Sequence, residues 1–265
     1  MNQIPLKHVG ITHEQKIADG ILLLQEFESS ALEYSQDGYY LCFSGGKDSV
    51  VVKDIAIKSG VKFTSNYSVT TIDPPELTRF IKHHHPDVIW HRPKVPMMKM
   101  VEKNGLPSMF SRWCCRLYKE NGGQNRVKVM GIRSAESSKR AKAWQAVTEW
   151  GKGKNKAWVI NPVLAWTDKE IWKYIRDNNI PYCSLYDEGR KRIGCVGCPM
   201  SPQNRQVDFQ RWPYMKKRWQ RAAKSRWDLM GDTNAKKIYK NSNEWFDWWL
   251  SNTAMPEDVC QMGLF

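Results

Sequence analysis

No run of about eighteen apolar residues, the length a helix needs to cross a bilayer, occurs anywhere in the sequence. Residues Met1 to His8 lack the basic-then-apolar order of a secretory leader, so a soluble, cytoplasmic protein with no membrane partner is expected. Internal repeats and low-complexity linkers are missing too, which sets solenoids and loosely strung arrays aside. Acidic side chains are scarce: 27 Asp and Glu stand against 41 Lys and Arg, for a net charge of +14. Such a protein attracts anions, whether nucleotide phosphates, sulfate derivatives or a nucleic-acid backbone, and charge alone does not choose among them.

What is present is enough for one large α/β domain: 265 residues, 41% of them hydrophobic. Residues 14–35 read as one amphipathic helix along Ile17, Ile21, Leu24 and Leu32. Tyr39 to Phe43 is a short apolar run of the buried-strand kind, followed by Ser44-Gly45-Gly46-Lys47-Asp48-Ser49 and a helix that closes at Gly60. Strands near 63–69, 88–91, 127–132 and 158–160 alternate with helices near 75–84, 95–104 and 167–178, the last opened by the capping box Thr167-Asp168-Lys169-Glu170. That alternation predicts a parallel sheet. Beyond Pro202, Trp212, Met215, Trp219, Ala222, Ala223 and Met230 recur at helical spacing, which predicts one long helix with Lys216, Lys217, Arg218, Arg221 and Lys224 on its outer surface. Three segments are expected: an N-terminal helical piece 1–36, a nucleotide-binding domain 37–202 and a basic, Trp-rich helical region 203–265.

Two clusters carry chemistry. A Ser-Gly-Gly loop between strand and helix leaves backbone N–H groups unpaired and lets the main chain approach an anion, with the positive helix end adding to the attraction. It is not a Walker loop, because position 41 is leucine and Asp48 interrupts the Lys-Ser/Thr pair. The second cluster is Cys114, Cys115, Cys195 and Cys198: four soft ligands, the number required by an iron-sulfur cluster or by zinc. With no leader and seven cysteines, reduced thiols are expected rather than disulfides. Cys42 and Cys183 read as small buried hydrophobes. His83, His84 and His85 read as solvent-facing side chains that bind no metal.

The loop S-G-G-K-D-S after a strand resembles the pyrophosphate loop of the adenine-nucleotide α-hydrolase (PP-loop) superfamily. From about Tyr39 to Trp212 the chain also resembles the phosphoadenosine phosphosulfate (PAPS) reductase family. The segments that carry this likeness are Thr70-Thr71-Ile72-Asp73-Pro74-Pro75-Glu76, Gly131-Ile132-Arg133 with Glu136-Ser137 and Arg140, Pro162 to Thr167, and Ile180 to Gly189. The cysteine pattern is similar to the iron-sulfur branch that reduces adenosine phosphosulfate. The resemblance implies a Rossmann-like parallel sheet with helices on both faces and a helical C-terminal segment. It further implies that Ser44, Gly45, Gly46, Lys47, Asp48, Ser49, Thr71, Asp73, Arg133, Glu136 and Arg140 bind ATP or another adenine nucleotide, with Asp48 and Asp73 positioning either Mg²⁺ or the adenosine. Cys114, Cys115, Cys195 and Cys198 would hold a 4Fe-4S cluster, zinc being the alternative, and Lys119 would lie near cluster and substrate.

Lys47, Asp48, Lys119, Arg133 and Cys260 are the candidate catalytic residues. The favoured expectation is ATP-dependent transfer with pyrophosphate release, in sulfur metabolism or nucleic-acid modification, because the Lys-Asp pair of the loop is closer to ATP-cleaving members. The alternative is a sulfonucleotide reductase whose Cys260 attacks sulfur and is resolved by a thioredoxin-like reductant. However, Asp258-Val259-Cys260-Gln261-Met262-Gly263 departs from the family's Glu-Cys-Gly-Leu-His tail. A sulfur donor is a further candidate partner. A third expectation is nucleic-acid binding through the Trp-Arg-rich C-terminal region, against the plainer reading of those tryptophans as core anchors. Arg205 and Arg211 either reach toward the nucleotide or lie on the surface.

Overall fold

The computed structural model describes residues 11–150 and 157–251, so Cys260 lies outside the described residues. The backbone groups into two compact units, each woven from separate stretches of chain.

The first unit, residues 1–68, 75–91 and 122–193, contains a six-stranded sheet. Its strands are β1 (Tyr39–Cys42), β2 (Phe63–Ser68), β3 (Ile89–His91), β4 (Lys128–Val129), β5 (Val147–Trp150) and β6 (Ala157–Ile160), in the spatial order β3-β2-β1-β4-β6-β5. Every pairing is parallel except that of β5 with β6, so the sheet ends on an antiparallel edge strand that the sequence pattern did not disclose. β4 is also shorter than the 127–132 expected: it spans Lys128–Val129, although the Val127 carbonyl and the Met130 N–H still bond to Tyr40 and Ile160 on either side. Its helices are α1 (His13–Glu26), α2 (Glu28–Tyr34), α3 (Lys47–Ser59), α4 (Pro75–His84), α7 (Ser138–Ala143) and α8 (Asp168–Asp177). α1 and α8 both pack on α3, and the core is aliphatic and aromatic: Tyr39, Leu41, Val51, Ile55, Val159, Ile160 and Trp166 are fully or almost fully buried.

The single helix expected over 14–35 is two helices that meet at Phe27. No glycine or proline breaks it. Instead the Tyr39 hydroxyl donates to the Leu24 carbonyl at 2.6 Å, and the Glu28 carboxylate accepts from the Lys62 N–H at 2.7 Å. The helical partners Leu24 C=O and Glu28 N–H are thus drawn apart by tertiary bonds. α8 begins as its sequence predicts, with the Thr167 hydroxyl accepting from Glu170 N–H and the Glu170 carboxylate accepting from Thr167 N–H.

The second unit, residues 69–74, 92–121 and 194–265, is helical where described: α5 (Met97–Asn104), α6 (Trp113–Tyr118), α9 (Arg205–Arg211), α10 (Pro213–Leu229), α11 (Asn234–Ile238) and α12 (Ser242–Ser251). The one long helix expected after Pro202 is divided, because Pro213 starts α10 as its first residue and forces Trp212 out of helical geometry. α10 packs on α5 and α12. Trp212, Met215, Trp219, Ala222, Ala223 and Met230 are all buried, so the helical stripe is a core stripe and neither Trp212 nor Trp219 faces outward to stack on a base.

Candidate active site

β1 lies between β2 and β4, and the chain leaves β1 toward one edge of the sheet while β4 leads toward the other. The crevice beyond the carboxyl ends of these two strands is the place where open α/β sheets bind ligands. The glycine loop fills it from the β1 side. Gly45 has φ of +72°, a conformation glycine adopts without steric cost, and Gly46 caps α3. Ser49 fastens the loop: its hydroxyl accepts from Ser44 N–H at 3.2 Å and donates to Gly46 C=O at 2.9 Å. The Lys47 N–H, at the positive end of α3, is received by the Tyr186 hydroxyl at 2.9 Å.

From the β4 side comes Arg133. Its Nε donates to Asp48 Oδ1 at 2.6 Å and its Nη2 to Asp168 Oδ1 at 3.0 Å. Asp168 Oδ1 also receives Lys47 Nζ at 3.1 Å, and Lys47 Nζ donates to the Lys191 carbonyl at 3.0 Å. Lys47 and Arg133 are each 3% exposed, while the Asp168 side chain is 61% exposed. Two buried cations are therefore held in place by two carboxylates, one of them at the solvent boundary. Such a pair can turn from those carboxylates to an incoming polyanion without first being assembled, which is the preorganisation that phosphate chemistry uses. Arg133 is held from behind by Glu136, which accepts from Arg133 N–H at 3.4 Å and pairs with Arg140.

Sequence reasoning did not single out Asp168, Tyr186 or Lys191 as site residues. Asp168 stood within a capping box, and the Tyr186 segment carried only its likeness to relatives. Of the histidines, His83 and His84 are exposed, but His85 is buried. Its Nδ1 lies 3.3 Å from Lys53 Nζ, which also pairs with Asp87 at 2.6 Å.

The four cysteines 114, 115, 195 and 198 all belong to the second unit. Cys114 and Cys115 sit on α6 and are hydrogen-bonded to each other. Cys115 is pulled well below the usual thiol range by its bond from Cys114 and, further, by the Arg112 guanidinium, and Cys114 is pushed up correspondingly. Cys195 and Cys198 add, more weakly, to the upward push on Cys114. Among the described residues no three His, Cys, Asp or Glu side chains converge tightly enough to hold one ion.

The loop carrying the second pair is closely built. Val196 N–H donates to Ile72 C=O at 2.9 Å, Trp219 Nε1 donates to Val196 C=O at 3.2 Å, and Gly197 N–H donates to Asp208 at 3.2 Å. Gly197 has φ of +77°, and a Cβ there would lie 2.8 Å from the Phe209 ring. Asp73 accepts from both the N–H and the hydroxyl of Thr70, whose Oγ1 lies 3.5 Å from Cys195 Sγ. Thr71 holds the uncommon φ of +65° while its hydroxyl accepts from Met97 N–H. Within this unit Thr70, Thr71 and Asp73 thus form the platform under Cys195. Lys119 is raised by the charge of Cys195, with Asp73 and Cys198 adding to it.

The phosphoadenosine phosphosulfate reductase domain matches residues 38–201, more than half of the chain. The chain belongs to the PAPS reductase family. Within that family it is similar to the adenosine 5'-phosphosulfate reductase of Pseudomonas aeruginosa, 28% identical over 213 residues that cover 71% of this chain and 77% of that one. It is also similar to the adenosine 5'-phosphosulfate reductase of Salinibacter ruber, 34% identical over 90 residues covering 32% and 34% of the two chains. Among solved structures, Candida glabrata FMN adenylyltransferase in complex with FMN and an ATP analogue shares the fold. Its TM-score is 0.51 at 17% identity, and the match covers 73% of this chain and 66% of that one. The chain spans less than half the length of the first three curated relatives it matches. The PAPS reductase fold accounts for the mostly parallel sheet and for the loop after β1. No helix among the described residues is long and apolar enough to cross a membrane.

Two groups of orphaned buried donors bear on whether the second unit suits a metal group. Trp113 Nε1, on the residue before Cys114, and Arg205 Nε, seven residues after Cys198, are buried without a hydrogen-bond partner. These donors and the four cysteines belong to the same unit, and thiols are the donor type that an iron-sulfur cluster takes.

Proposed function

We propose that this PAPS reductase-family protein is a PP-loop enzyme that binds ATP at the glycine loop and transfers its adenylyl group, releasing pyrophosphate. The observation that carries this reading is the Lys47–Asp48–Arg133–Asp168 network, with both cations buried, at the switch point of the sheet. Lys47 and Arg133 bind phosphate oxygens. Asp48 and Asp168 hold both cations in register beforehand, and their carboxylates are the ones available to Mg²⁺ that arrives with the nucleotide. The Lys47 N–H exchanges the Tyr186 hydroxyl for a phosphate oxygen at the end of α3. An acceptor oxygen forms a bond to the α-phosphorus and loses its proton to solvent, the bond from that phosphorus to the pyrophosphate oxygen breaks, and pyrophosphate leaves. The protein contributes position and charge neutralisation, and needs no covalent intermediate.

Cys114, Cys115, Cys195 and Cys198 are proposed to hold a 4Fe-4S cluster. Bound there, the cluster supplies a fixed, charged anchor joining α6 to the 195–198 loop. Thr70, Asp73 and Trp219 keep that loop in shape, and Lys119 offers its ammonium to Cys195.

A second reading is favoured by the relatives named as adenosine 5'-phosphosulfate reductases: a sulfonucleotide reductase in which Lys119, Arg133 and Arg140 neutralise the phosphosulfate. Here Cys260 attacks sulfur, the bond to the nucleotide phosphate oxygen breaks, and a thioredoxin-like dithiol reduces the resulting thiosulfonate, releasing sulfite. One paired assay separates the two. Anaerobically purified protein is given ATP with candidate acceptors, and separately a sulfonucleotide with a dithiol. Pyrophosphate release without sulfite is the expected result. Sulfite release that Cys260→Ser abolishes would replace the first reading by the second.

A further inference from the structure

Toward the glycine loop α4 is sealed: a Cβ at Gly45 would lie 2.7 Å from Leu77 Cδ1 and 2.8 Å from Ile81 Cδ1, and both side chains are buried. On its outer side α4 and the 182–186 turn enclose a cleft of about 280 Å³, close to the lower end of the roughly 300–1,000 Å³ of small-molecule sites. Rings line it. On the α4 wall the Phe80 and His84 rings lie 5.2 Å apart, and the His83 and His84 rings 4.7 Å apart. On the other wall the Tyr182 ring is fixed edge-on to Trp172 at 5.2 Å, and its hydroxyl is committed to Asp187 Oδ1 at 3.0 Å. Arg79 supplies charge: its side chain is 74% exposed, and its Nη2 lies 3.8 Å from Glu76 Oε1, too far for a hydrogen bond. An exposed pair of that length is worth little, so the guanidinium can turn to an anion. Glu76, the acid in the lining, is only 14% exposed, and Ser184 adds a hydroxyl from the turn. Both walls are tied to the glycine loop, α4 through Leu77 and Ile81, and the turn through Tyr186, whose hydroxyl receives the Lys47 N–H.

We propose that this cleft is an effector site for a small aromatic ring carrying a phosphate or carboxylate group, and that its occupation weakens nucleotide binding at the glycine loop. The rings of Phe80, His83, His84 and Tyr182 receive the planar body, and Arg79 receives the anionic group. The ligand is not the acceptor of the transfer reaction, because the face of α4 that meets the loop is filled by Leu77 and Ile81. The sign of the coupling follows from Tyr186. A nucleotide phosphate takes the Lys47 N–H only when the Tyr186 hydroxyl lets it go, and a ligand bridging α4 to Tyr182 and Ser184 holds the turn, with that hydroxyl, in place. The effect is reciprocal: what the cleft ligand takes from nucleotide affinity, the nucleotide takes from the affinity of the cleft. The site itself stands on the cleft alone, whereas the coupling rests on the reading that the loop binds ATP.

The probe is phenyl phosphate, titrated into the full chain as wild type, Arg79→Met and Lys47→Met. The imidazole signals of His83 and His84 are followed by NMR, and MgATP affinity is measured by calorimetry with and without the probe. Wild type and Lys47→Met should bind the probe alike, with both ring signals moving, and Arg79→Met should bind it about tenfold more weakly. Inorganic phosphate, which lacks the ring, should also bind the wild type about tenfold more weakly. Saturating probe should weaken MgATP binding to the wild type about fivefold, and the same concentration should leave MgATP binding to Arg79→Met unchanged. Unmoved ring signals, or equal probe affinity in wild type and Arg79→Met, overturn the site. Binding lost in Lys47→Met and kept in Arg79→Met places the probe on the glycine loop and overturns it too. Inorganic phosphate that binds as tightly as the probe overturns the aromatic class of the ligand. Probe binding in the cleft with unchanged MgATP affinity overturns the coupling. A wild type that binds the probe but no MgATP sinks the adenylyl-transfer reading and the coupling with it, while the site stands.

Discussion

Lys47 and Arg133 are charged groups placed where charge is expensive, and the neighbours that make this tolerable are Asp48 and Asp168. Replacing Arg133 with Met removes one cation and leaves Asp48 beside a guanidinium-sized gap. The account predicts a loss of about 3 kcal/mol in urea unfolding. At the far edge of the same unit His85 makes a different demand. Burial, and then the ammonium of Lys53, push it from 6.5 down to about 4, so the folded protein refuses a proton that the unfolded chain accepts. Stability is therefore complete above about pH 6.5 and falls as the pH drops from there toward 4, by at most roughly 3 kcal/mol. Unfolding titrations across that window should show the slope in the wild type and a flatter profile in His85→Gln. Equal slopes would remove His85 from the explanation. At this scale the sequence was legible where motif residues are contiguous. Ser44 to Ser49 and Arg133 were visible as a loop and a nearby arginine. Asp168 and Tyr186 come to the loop from more than a hundred positions away, and no local pattern marks which distant acid or phenol closes a network. His85 was misread because a triplet of histidines looks uniformly polar, whereas the end of α4 turns only the third inward.

Among the elements, the 195–198 loop shows most clearly how local geometry serves the site. Gly197→Ala would place a Cβ at 2.8 Å from Phe209 in a left-handed conformation, so a cost above about 1 kcal/mol is expected. Faster metal loss should accompany it, read by thermal unfolding and chelator stripping. Thr167→Ala removes the α8 cap and should cost about 1 kcal/mol without touching the metal content; it serves as a control for simple loss of stability. Helix boundaries were legible where side chains set them, as with the Thr167 capping box and the Gly60 stop of α3. Pro213 was an available signal that the stripe of Trp and Met residues overrode. The break at Phe27 had no such signal, because the competing hydrogen bonds come from Tyr39 and Lys62 outside the helix.

Across the whole molecule, the parallel pairing of most strands follows from β and α alternation, readable in the chain; their order is not. The antiparallel edge strand β5 is four residues with little alternation, and its pairing with β6 is decided by sheet register rather than by composition. The second unit is assembled from three separate stretches. Its aromatic core of Phe209, Trp219, Phe246 and Trp249 comes from the last of them, where α9, α10 and α12 bring together rings that are far apart in sequence. The central functional claim, that the Lys47–Arg133 network receives the phosphates of an adenine nucleotide, is tested most directly by calorimetric titration of MgATP into wild type, Lys47→Met and Asn243→Ala, the last an exposed residue of α12. Saturable binding by wild type and Asn243→Ala, weakened at least about tenfold in Lys47→Met, is the predicted result. Equal affinity in all three, or no binding by a folded wild type, would contradict it.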